Sequence, residues 1–350
     1  MTDPQPNSDF VIEDALDHRN SAQTLIDEVA LTVEKEKLSQ EPPSQPLNRW
    51  TKPTLLKRDA MPEWYQHEYF IWTGYRPITG STWDCLYSIT YLHNETGNIW
   101  THGLGALIFI LLTGYTWGHL FREDGLTGVN WRDHLIALEL HIGVISCLFF
   151  SAVFHTMCCH SQTVHRSCLK ADYVGIVLHI GGCFVASIYY CFYCEKTLQT
   201  IYLSLIISFG AAVIFTNVSK RFMKREYARL RLGFFIGFGF WGIIPIIHSC
   251  LIHSFQFTQR SIGLNYIFIV ALFDFGGAMI VNFRIPERFI PGSFDYIGQS
   301  HQIMHICIVL GAITHYLGFI EVFKFWHVQN GVCALSWDQM DVGVGSTMGW

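Results

Sequence analysis

Seven long apolar stretches follow one another along this chain of 350 residues. Each approaches the ~20 residues that a helix needs to cross ~30 Å of hydrocarbon. Backbone N–H and C=O groups inside a bilayer must bond to one another, so stretches of this length are predicted to be helices. The sequence therefore predicts an all-α membrane protein with a seven-transmembrane helix bundle, whose spans are residues 103–120, 135–157, 173–193, 197–216, 232–252, 262–281 and about 301–323.

Composition favours a membrane protein over a soluble one. Half of the residues are hydrophobic and only 15% are charged, whereas soluble domains carry about 25% charged residues. The formal net charge of −5 gives no basic excess to neutralise phosphates, so nucleic acid is excluded as an expected partner. The 11 cysteines fall mostly inside apolar segments, and most are interpreted as small packing residues.

The chain divides into four predicted parts. Residues 1–60 are polar and proline-containing, and they cannot bury enough apolar area to offset the entropy of ordering, so a disordered cytoplasmic tail is predicted. Residues 61–100 form a cytoplasmic or interfacial segment with a short helix. Residues 101–326 form the seven-helix transmembrane domain, and residues 327–350 form a short outside tail.

Two local signals refine this division. The capping-box pattern STWD at residues 81–84 predicts the start of the short helix, which is expected to reach about Leu92. Its aromatic side chains favour a position along the membrane interface, and packing as a soluble cap on the bundle is the alternative. In the fifth span, Pro245 is predicted to kink the helix.

Basic residues decide the predicted orientation. Ten lie in the segments on one side of the bundle and five on the other, and the side richer in Lys and Arg is cytoplasmic under the positive-inside rule. The N-terminus is then cytoplasmic and the C-terminus outside, which is the reverse of G-protein-coupled receptors. The most basic segment joins the fourth and fifth spans and carries Lys220, Arg221, Lys224, Arg225, Arg229 and Arg231.

With this orientation, three histidines and one aspartate lie at the same membrane depth. His301 and His305 are four residues apart, so their imidazoles project from one helix face and can bind one ion. His155, at the end of the second span, can supply a third nitrogen, which leaves a fourth tetrahedral position for water, as in catalytic zinc sites. Asp172 is placed to contact that water. Ser151, one turn before His155, either orients these groups or bonds its own helix backbone.

The remaining histidines and acids have less specific interpretations. The chain holds 17 histidines, and a lone histidine in a span is more often a hydrogen-bonded packing residue than a ligand. This packing interpretation applies to His141, His179, His248 and His315. Competing zinc ligands in or beside loops are His93, His102, His160 and His165. Glu139 and Asp274 are costly in a bilayer, and three roles stay open for them: bonding to neighbouring helices, lining a ligand cavity, or accepting protons.

Five short stretches resemble the motifs of the progestin and adipoQ receptor family, which includes the adiponectin receptors and the haemolysin III-related proteins. They occur in family order within roughly residues 62–326, and several positions match in each, so they are far more specific than the His301 and His305 pair alone. The stretches are HNETGNIWTH at residues 93–102, SAVFH at 151–155, DYVGI at 172–176, PERFIPG at 286–292 and SHQIMH at 300–305.

This resemblance implies a Zn²⁺ ion held by His155, His301 and His305, with Asp172 near a bound water and Ser151 close by. It also implies a cytoplasmic N-terminus. The long N-terminal region is similar to the receptor-type branch rather than to the shorter bacterial haemolysin III proteins. In addition, GYRP at residues 74–77 resembles fungal members that are linked to zinc and lipid homeostasis.

Three functions compete at this point. The first is a zinc-dependent lipid amidase, because the resemblance to adiponectin receptors and alkaline ceramidases implies hydrolysis of ceramide to a sphingoid base and a free fatty acid. The second is a non-catalytic receptor with structural zinc and an unknown extracellular ligand. The third is a pore or transport protein, which ranks last because no helix contains a selectivity-filter pattern. Membrane lipids are the expected partners in each case, and plasma membrane and endomembrane stay open.

Overall fold

The computed structural model of the chain describes residues 52–66, 68–222, 225–328 and 333. Residues 1–51 of the predicted N-terminal tail, and nearly all of the predicted tail at 327–350, lie outside this described part. Within it the chain is helical and contains no strands, apart from one isolated bridge between Leu56 and Tyr75.

Seven helical segments of the described residues are long and apolar enough to cross a membrane, as predicted. The fifth of these segments consists of two helices, Ala228–Phe240 and Ile243–Ile252, and two further helices, Thr82–Tyr87 and Phe255–Ser261, are short. In chain order the α-helices are α1 (Thr82–Tyr87), α2 (Thr96–Gly118), α3 (Trp131–Met157), α4 (Gln162–Cys191), α5 (Lys196–Val218), α6 (Ala228–Phe240), α7 (Ile243–Ile252), α8 (Phe255–Ser261), α9 (Leu264–Phe283) and α10 (Ser300–Val328).

Several spans begin earlier than predicted because their first turns are polar and capped. At the start of α3, the Asn130 side chain accepts a hydrogen bond from the Arg132 N–H (3.0 Å), and Asp133 accepts one from the Asn130 N–H (2.9 Å). At the start of α4, eleven residues before the predicted position, the Ser161 hydroxyl caps Val164. Hydropathy marks only the apolar part of a helix, whereas caps of this kind satisfy the free N–H groups beyond it.

The fifth span is interrupted, as the proline in it predicted, but the break precedes the proline. The helix is interrupted at Trp241 and Gly242, and Pro245 occupies the first turn of α7, where no N–H group is needed for the helix. A Cβ atom at Gly242 would stand 2.1 Å from Cε1 of Phe184. The absence of a side chain at Gly242 therefore lets the Phe184 ring of α4 pack against the break.

Helices α3 and α4 pack with their backbones in close contact. A Cβ atom at Gly143 would lie 2.6 Å from the carbonyl oxygen of Leu178, and one at Gly175 would lie 2.8 Å from Cα of Cys147. Small residues at such crossings are a common way for membrane helices to associate. This contact sets the position of His155 on α3 relative to Asp172 on α4.

The segment before α2 packs on the end of α3. Tyr65 and Cys85 are fully buried there together with Cys158 and Cys159, and the sulfur atoms of Cys85 and Cys159 are 3.6 Å apart. The predicted short helix is α1, capped by Ser81 as expected (3.3 Å), but it ends at Tyr87 and continues only as a 3₁₀ turn. The face of α1 that carries Cys85 therefore packs as a cap on the bundle.

A disulfide joins Cys194, after α4, to Cys333, after α10. These two cysteines are therefore not packing residues, and the other nine are free thiols. The bond connects two positions 139 residues apart in sequence at the end of the bundle where α3 begins.

Candidate metal centre

The three histidines predicted to bind a metal come together inside one end of the bundle. His155 lies in the last turn of α3, while His301 and His305 lie in the first two turns of α10. One nitrogen from each ring can be chosen so that all three lie within 4.8 Å of one another, and among the described residues the group consists of these three imidazoles. The ring centroids are 4.8–5.1 Å apart. This spacing suits a single ion held by three ring nitrogens.

A buried carboxylate orients the His155 ring. Nδ1 of His155 lies 2.8 Å from Oε2 of Glu95, and the same oxygen accepts a hydrogen bond from the Asn98 amide (2.7 Å). Because a carboxylate accepts, Nδ1 carries the proton and Nε2 is left with its lone pair. Nε2 is buried and has no hydrogen-bond partner among the described residues. Metal-binding histidines commonly donate the N–H of their other ring nitrogen to a carboxylate in this way.

The His305 ring is held by the start of α2. Its Nδ1 lies 3.2 Å from the carbonyl oxygen of Asn98 and 3.4 Å from the Thr101 hydroxyl. A carbonyl only accepts, so this contact also leaves Nε2 for a metal. The His102 ring stacks on the His305 ring with centroids 3.6 Å apart. His102 is thus a buried part of the centre rather than the loop residue that its position in the sequence indicated.

Arg76 holds the end of α3 that carries His155. The guanidinium donates to the carbonyl oxygens of His155 (2.5 Å) and Thr156 (3.0 Å) and to the Ser88 hydroxyl (2.6 Å). The residue is only 1% exposed. The last carbonyls of a helix lack partners within the helix, and a cation there also suits the helix dipole. Arg76 therefore satisfies these groups and positions the last turn.

Asp172 and Ser151 lie together next to the triad. The Asp172 carboxyl group is close enough to interact with the Ser151 hydroxyl and with the His155 imidazole. Asp172 projects from α4 and Ser151 from α3, so the close contact of these two helices brings them together. Among the described residues, the carboxyl group is not one of the three grouped metal-ligating side chains.

The competing loop histidines have other partners. Nδ1 of His93 accepts a hydrogen bond from the Glu95 N–H (3.1 Å), and burial, helped by Arg76, lowers the pKa of His93 to about 3. His93 is therefore a neutral acceptor that fixes the Glu95 backbone. Nδ1 of His165 lies 3.3 Å from the carbonyl oxygen of Cys158, and Nδ1 of His160 lies 3.1 Å from a serine hydroxyl.

The remaining buried polar side chains pack within the spans. Among the lone histidines, Nδ1 of His141 is 2.7 Å from a backbone carbonyl and Nδ1 of His248 is 2.9 Å from a tyrosine hydroxyl, as expected of packing residues. His179 and His315 are also buried. The carboxyl group of Glu139 lies against Gly182 of α4, and that of Asp274 lies against Gly311 of α10. Each of these two acids thus packs against a glycine of a neighbouring helix.

Sequence reasoning missed Glu95, Asn98 and Arg76 as parts of this site. All three lie in stretches that resemble family motifs, HNETGNIWTH and GYRP. That resemblance was the only available signal, because none of these residues follows the periodicity of a span. Their contacts depend on how the segment before α2 folds against α3.

Comparison with known proteins agrees with the resemblance of the sequence motifs. Residues 90–316 match the haemolysin III-related family. The chain is 37% identical over 76% of its length to the adiponectin receptor protein of Drosophila melanogaster, of which it covers 59%. It is 32% identical, over 79% of its length in each case, to the ADIPOR-like receptor IZH2 of Saccharomyces cerevisiae (87% covered) and to heptahelical transmembrane protein 1 of Arabidopsis thaliana (85% covered).

The chain spans about 60% of the length of its animal relatives, because it covers 59% of the Drosophila protein and 61% of progestin and adipoQ receptor-like protein 1 of Caenorhabditis elegans. The matched region includes the whole histidine triad and all seven spans up to the middle of α10. The chain is an integral, multi-pass membrane protein that belongs to the haemolysin III-related family, together with the adiponectin receptors.

Proposed function

We propose that this protein binds one Zn²⁺ ion at His155, His301 and His305 and hydrolyses a long-chain lipid amide of the ceramide type. The observation that carries the proposal is the arrangement of three imidazoles whose nitrogens lie within 4.8 Å of one another. The buried, unpartnered Nε2 of His155 fits a metal ion, since a buried nitrogen without any partner is otherwise costly.

The donor set favours zinc. Neutral imidazoles are preferred ligands of zinc, and three of them with a remaining open position are typical of its catalytic sites. When bound, zinc would polarise the amide carbonyl and acidify a water molecule. The surrounding protein would fix the ring tautomers, since Glu95 and the Asn98 carbonyl each accept the Nδ1 proton of one ring and leave Nε2 for the metal.

Asp172 would act as the general base and then as the general acid. Its carboxylate would take a proton from water and pass it to the leaving amine nitrogen, while the Ser151 hydroxyl would orient the carboxylate through a hydrogen bond. The products would be a sphingoid base and a free fatty acid. Both are membrane lipids, which suits a site within a membrane-spanning helix bundle.

A second candidate is a receptor in which zinc is structural. The Drosophila and yeast relatives are named as receptors, which favours it, and an extracellular ligand would then be its partner. We also propose a cytoplasmic N-terminus and an outside C-terminus. The Cys194–Cys333 disulfide supports this orientation, since disulfides persist in oxidising compartments. A role in lipid and zinc homeostasis is compatible with either candidate.

The test uses the purified full-length chain in lipid nanodiscs. Zinc content is measured by mass spectrometry, and hydrolysis of labelled ceramide is measured before chelation, after chelation and after zinc is restored. The amidase proposal expects one zinc per chain and turnover that disappears and returns with zinc. Zinc should also leave at acidic pH, because protonated imidazoles cannot bind it. One firmly bound zinc without turnover of any long-chain amide would favour the receptor.

A further inference from the structure

A second candidate site lies at the end of the bundle opposite the histidine triad. A cavity of about 520 Å³ is formed there by residues at the N-termini of α3 and α5 and just after α4. Tyr189, Tyr193 and the two cysteines of the Cys194–Cys333 disulfide line it. Arg132 and Lys196 line the same cavity. The volume lies within the range of roughly 300–1,000 Å³ that is typical of sites for small molecules.

Both basic side chains lack an acidic partner in the described part of the chain. Neither Arg132 nor Lys196 takes part in an ion pair within 4.0 Å there. The Lys196 ammonium instead lies over the Tyr193 ring, 4.5 Å from its centroid, and the Arg132 guanidinium lies 5.5 Å from the Trp131 ring. Two unpaired cations on one cavity favour an anionic ligand.

The nearest carboxylates are already engaged by other donors. Asp133 is fully buried. Its Oδ2 accepts from the Asn130 N–H and side-chain amide, while Oδ1 accepts from two tyrosine hydroxyls and lies 3.2 Å from Nε2 of His327. Glu195 lies 3.4 Å from Nε2 of His253. Both acids therefore reduce the local positive charge without occupying Arg132 or Lys196 as direct partners.

The surface next to the cavity indicates what kind of anion fits. From Trp131 onward, α3 exposes apolar side chains at helical spacing, and these form a ridge that leads away from the cavity along the span. Trp131 is 66% exposed, and the ridge continues through Leu135, Leu138 and Ile142. A tryptophan at this level suits the membrane–water interface. Basic residues near a membrane surface attract anionic lipid headgroups.

We propose that this cavity binds the phosphate of an anionic phospholipid headgroup, with an acyl chain along the exposed ridge of α3. Arg132 and Lys196 would contact the phosphate oxygens, and the tyrosine rings would surround the glycerol part of the headgroup. The disulfide holds one wall of the cavity in place. This site is independent of the metal centre and does not depend on the amidase proposal.

The test measures lipid retention by native mass spectrometry. Full-length protein is purified in nanodiscs of phosphatidylcholine, alone or mixed with phosphatidylglycerol, and compared with Arg132→Gln, Lys196→Gln and the double variant. Each substitution should weaken phosphatidylglycerol binding about fivefold and the double substitution about 25-fold, since a basic residue near an anionic surface contributes about that factor. Higher salt should reduce the preference of the wild-type protein.

Lys324→Gln is the matched control. Lys324 is a basic residue at the same end of the bundle, but it pairs with Glu123 (2.7 Å), so its loss should leave lipid retention unchanged. Thermal midpoints establish that the variants are folded. Equal retention of phosphatidylglycerol by the wild-type protein and a folded double variant would overturn the proposal. Soluble glycerol phosphate that binds as tightly as the lipid would also overturn it, because the ligand would then be a free phosphate ester.

Discussion

The Nδ1 atom of His155 lies 2.8 Å from the carboxylate oxygen Oε2 of Glu95, although the two residues are 60 positions apart in the chain. The contact joins the last turn of α3 to the N-cap position of α2. It decides which ring nitrogen of His155 faces the triad. The segment before α2 is therefore part of the metal centre and not only a cap on the bundle.

The first prediction concerns Glu95. Glu95→Gln keeps the size of the side chain but removes the charge that holds the His155 proton, so zinc affinity should fall by about 10- to 100-fold. Competition with a fluorescent chelator measures this change. Glu123→Gln is the control, because Glu123 is an exposed acid that pairs with Lys324 at the far end of the bundle. Equal affinity in the Glu95 variant and the wild-type protein would mean that this contact does not tune the metal.

The second prediction concerns the crossing of α3 and α4. Gly143→Ala and Gly175→Ala should each lower the free energy of unfolding by about 1–3 kcal/mol, because a Cβ atom at either position would collide with the backbone of the other helix. Gly103→Ala and Gly114→Ala are matched controls in α2 with no atom within 4 Å of the added carbon. Thermal midpoints in one detergent compare the four variants.

The two control variants in α2 should match or exceed the wild-type protein in stability, since alanine is a better helix former than glycine. Gly175→Ala should also affect the metal centre, because it would displace α4 and Asp172. If Gly143→Ala and Gly175→Ala were as stable as the two controls, the close backbone contact of α3 and α4 would not be a source of stability.

The seven spans could be predicted because length and hydropathy are local properties of the sequence. The His301 and His305 pair could be predicted as well, since helical periodicity alone puts both rings on one face. His155 joined them through an argument about membrane depth. By contrast, Glu95 and Arg76 reach the site through an irregular segment, and no periodic pattern encodes where such a segment folds.

The Cys194–Cys333 disulfide was not predicted for a similar reason. Its cysteines are 139 residues apart, and neither stands in a local pattern that distinguishes it from the nine free cysteines. The predicted topology offered one clue, because both follow spans that end on the same side of the membrane. Long-range pairings of this kind follow from the packing of α4 against the other helices, which is not a local property.

The third prediction concerns topology. With a cytoplasmic N-terminus, the sequons at Asn94 and Asn217 should carry no sugar, whereas the loop between α2 and α3 should be accessible to glycosylation. Gly125→Asn creates the sequon Asn-Leu-Thr in that loop. The φ angle of Gly125 is +89°, a region that asparagine tolerates better than most residues. Digestion with an endoglycosidase should shift the band of this variant only. Sugar at Asn217 in the wild-type protein would contradict the orientation.

The fourth prediction separates chemistry from metal binding at Asp172. Asp172→Asn keeps the size and hydrogen-bonding capacity of the side chain but removes the basic carboxylate. Under the amidase proposal, turnover of ceramide should fall by about 10²- to 10⁴-fold, the usual contribution of a general acid or base, while zinc content stays at the wild-type value. Asp274→Asn is the matched control, because Asp274 is another acid within a span, packed against Gly311 rather than next to Ser151.

Zinc content, thermal midpoint and ceramide hydrolysis should be measured on the same preparations of the wild-type protein and both variants, in a lipid that keeps the bundle folded. The expected result is a selective loss of hydrolysis in Asp172→Asn, with Asp274→Asn close to the wild-type rate. If Asp172→Asn retains both zinc and full turnover, Asp172 is not the base and another group must take the proton from water. If Asp172→Asn loses zinc and turnover together, the carboxylate acts through the metal centre as a whole, and its role is structural rather than catalytic.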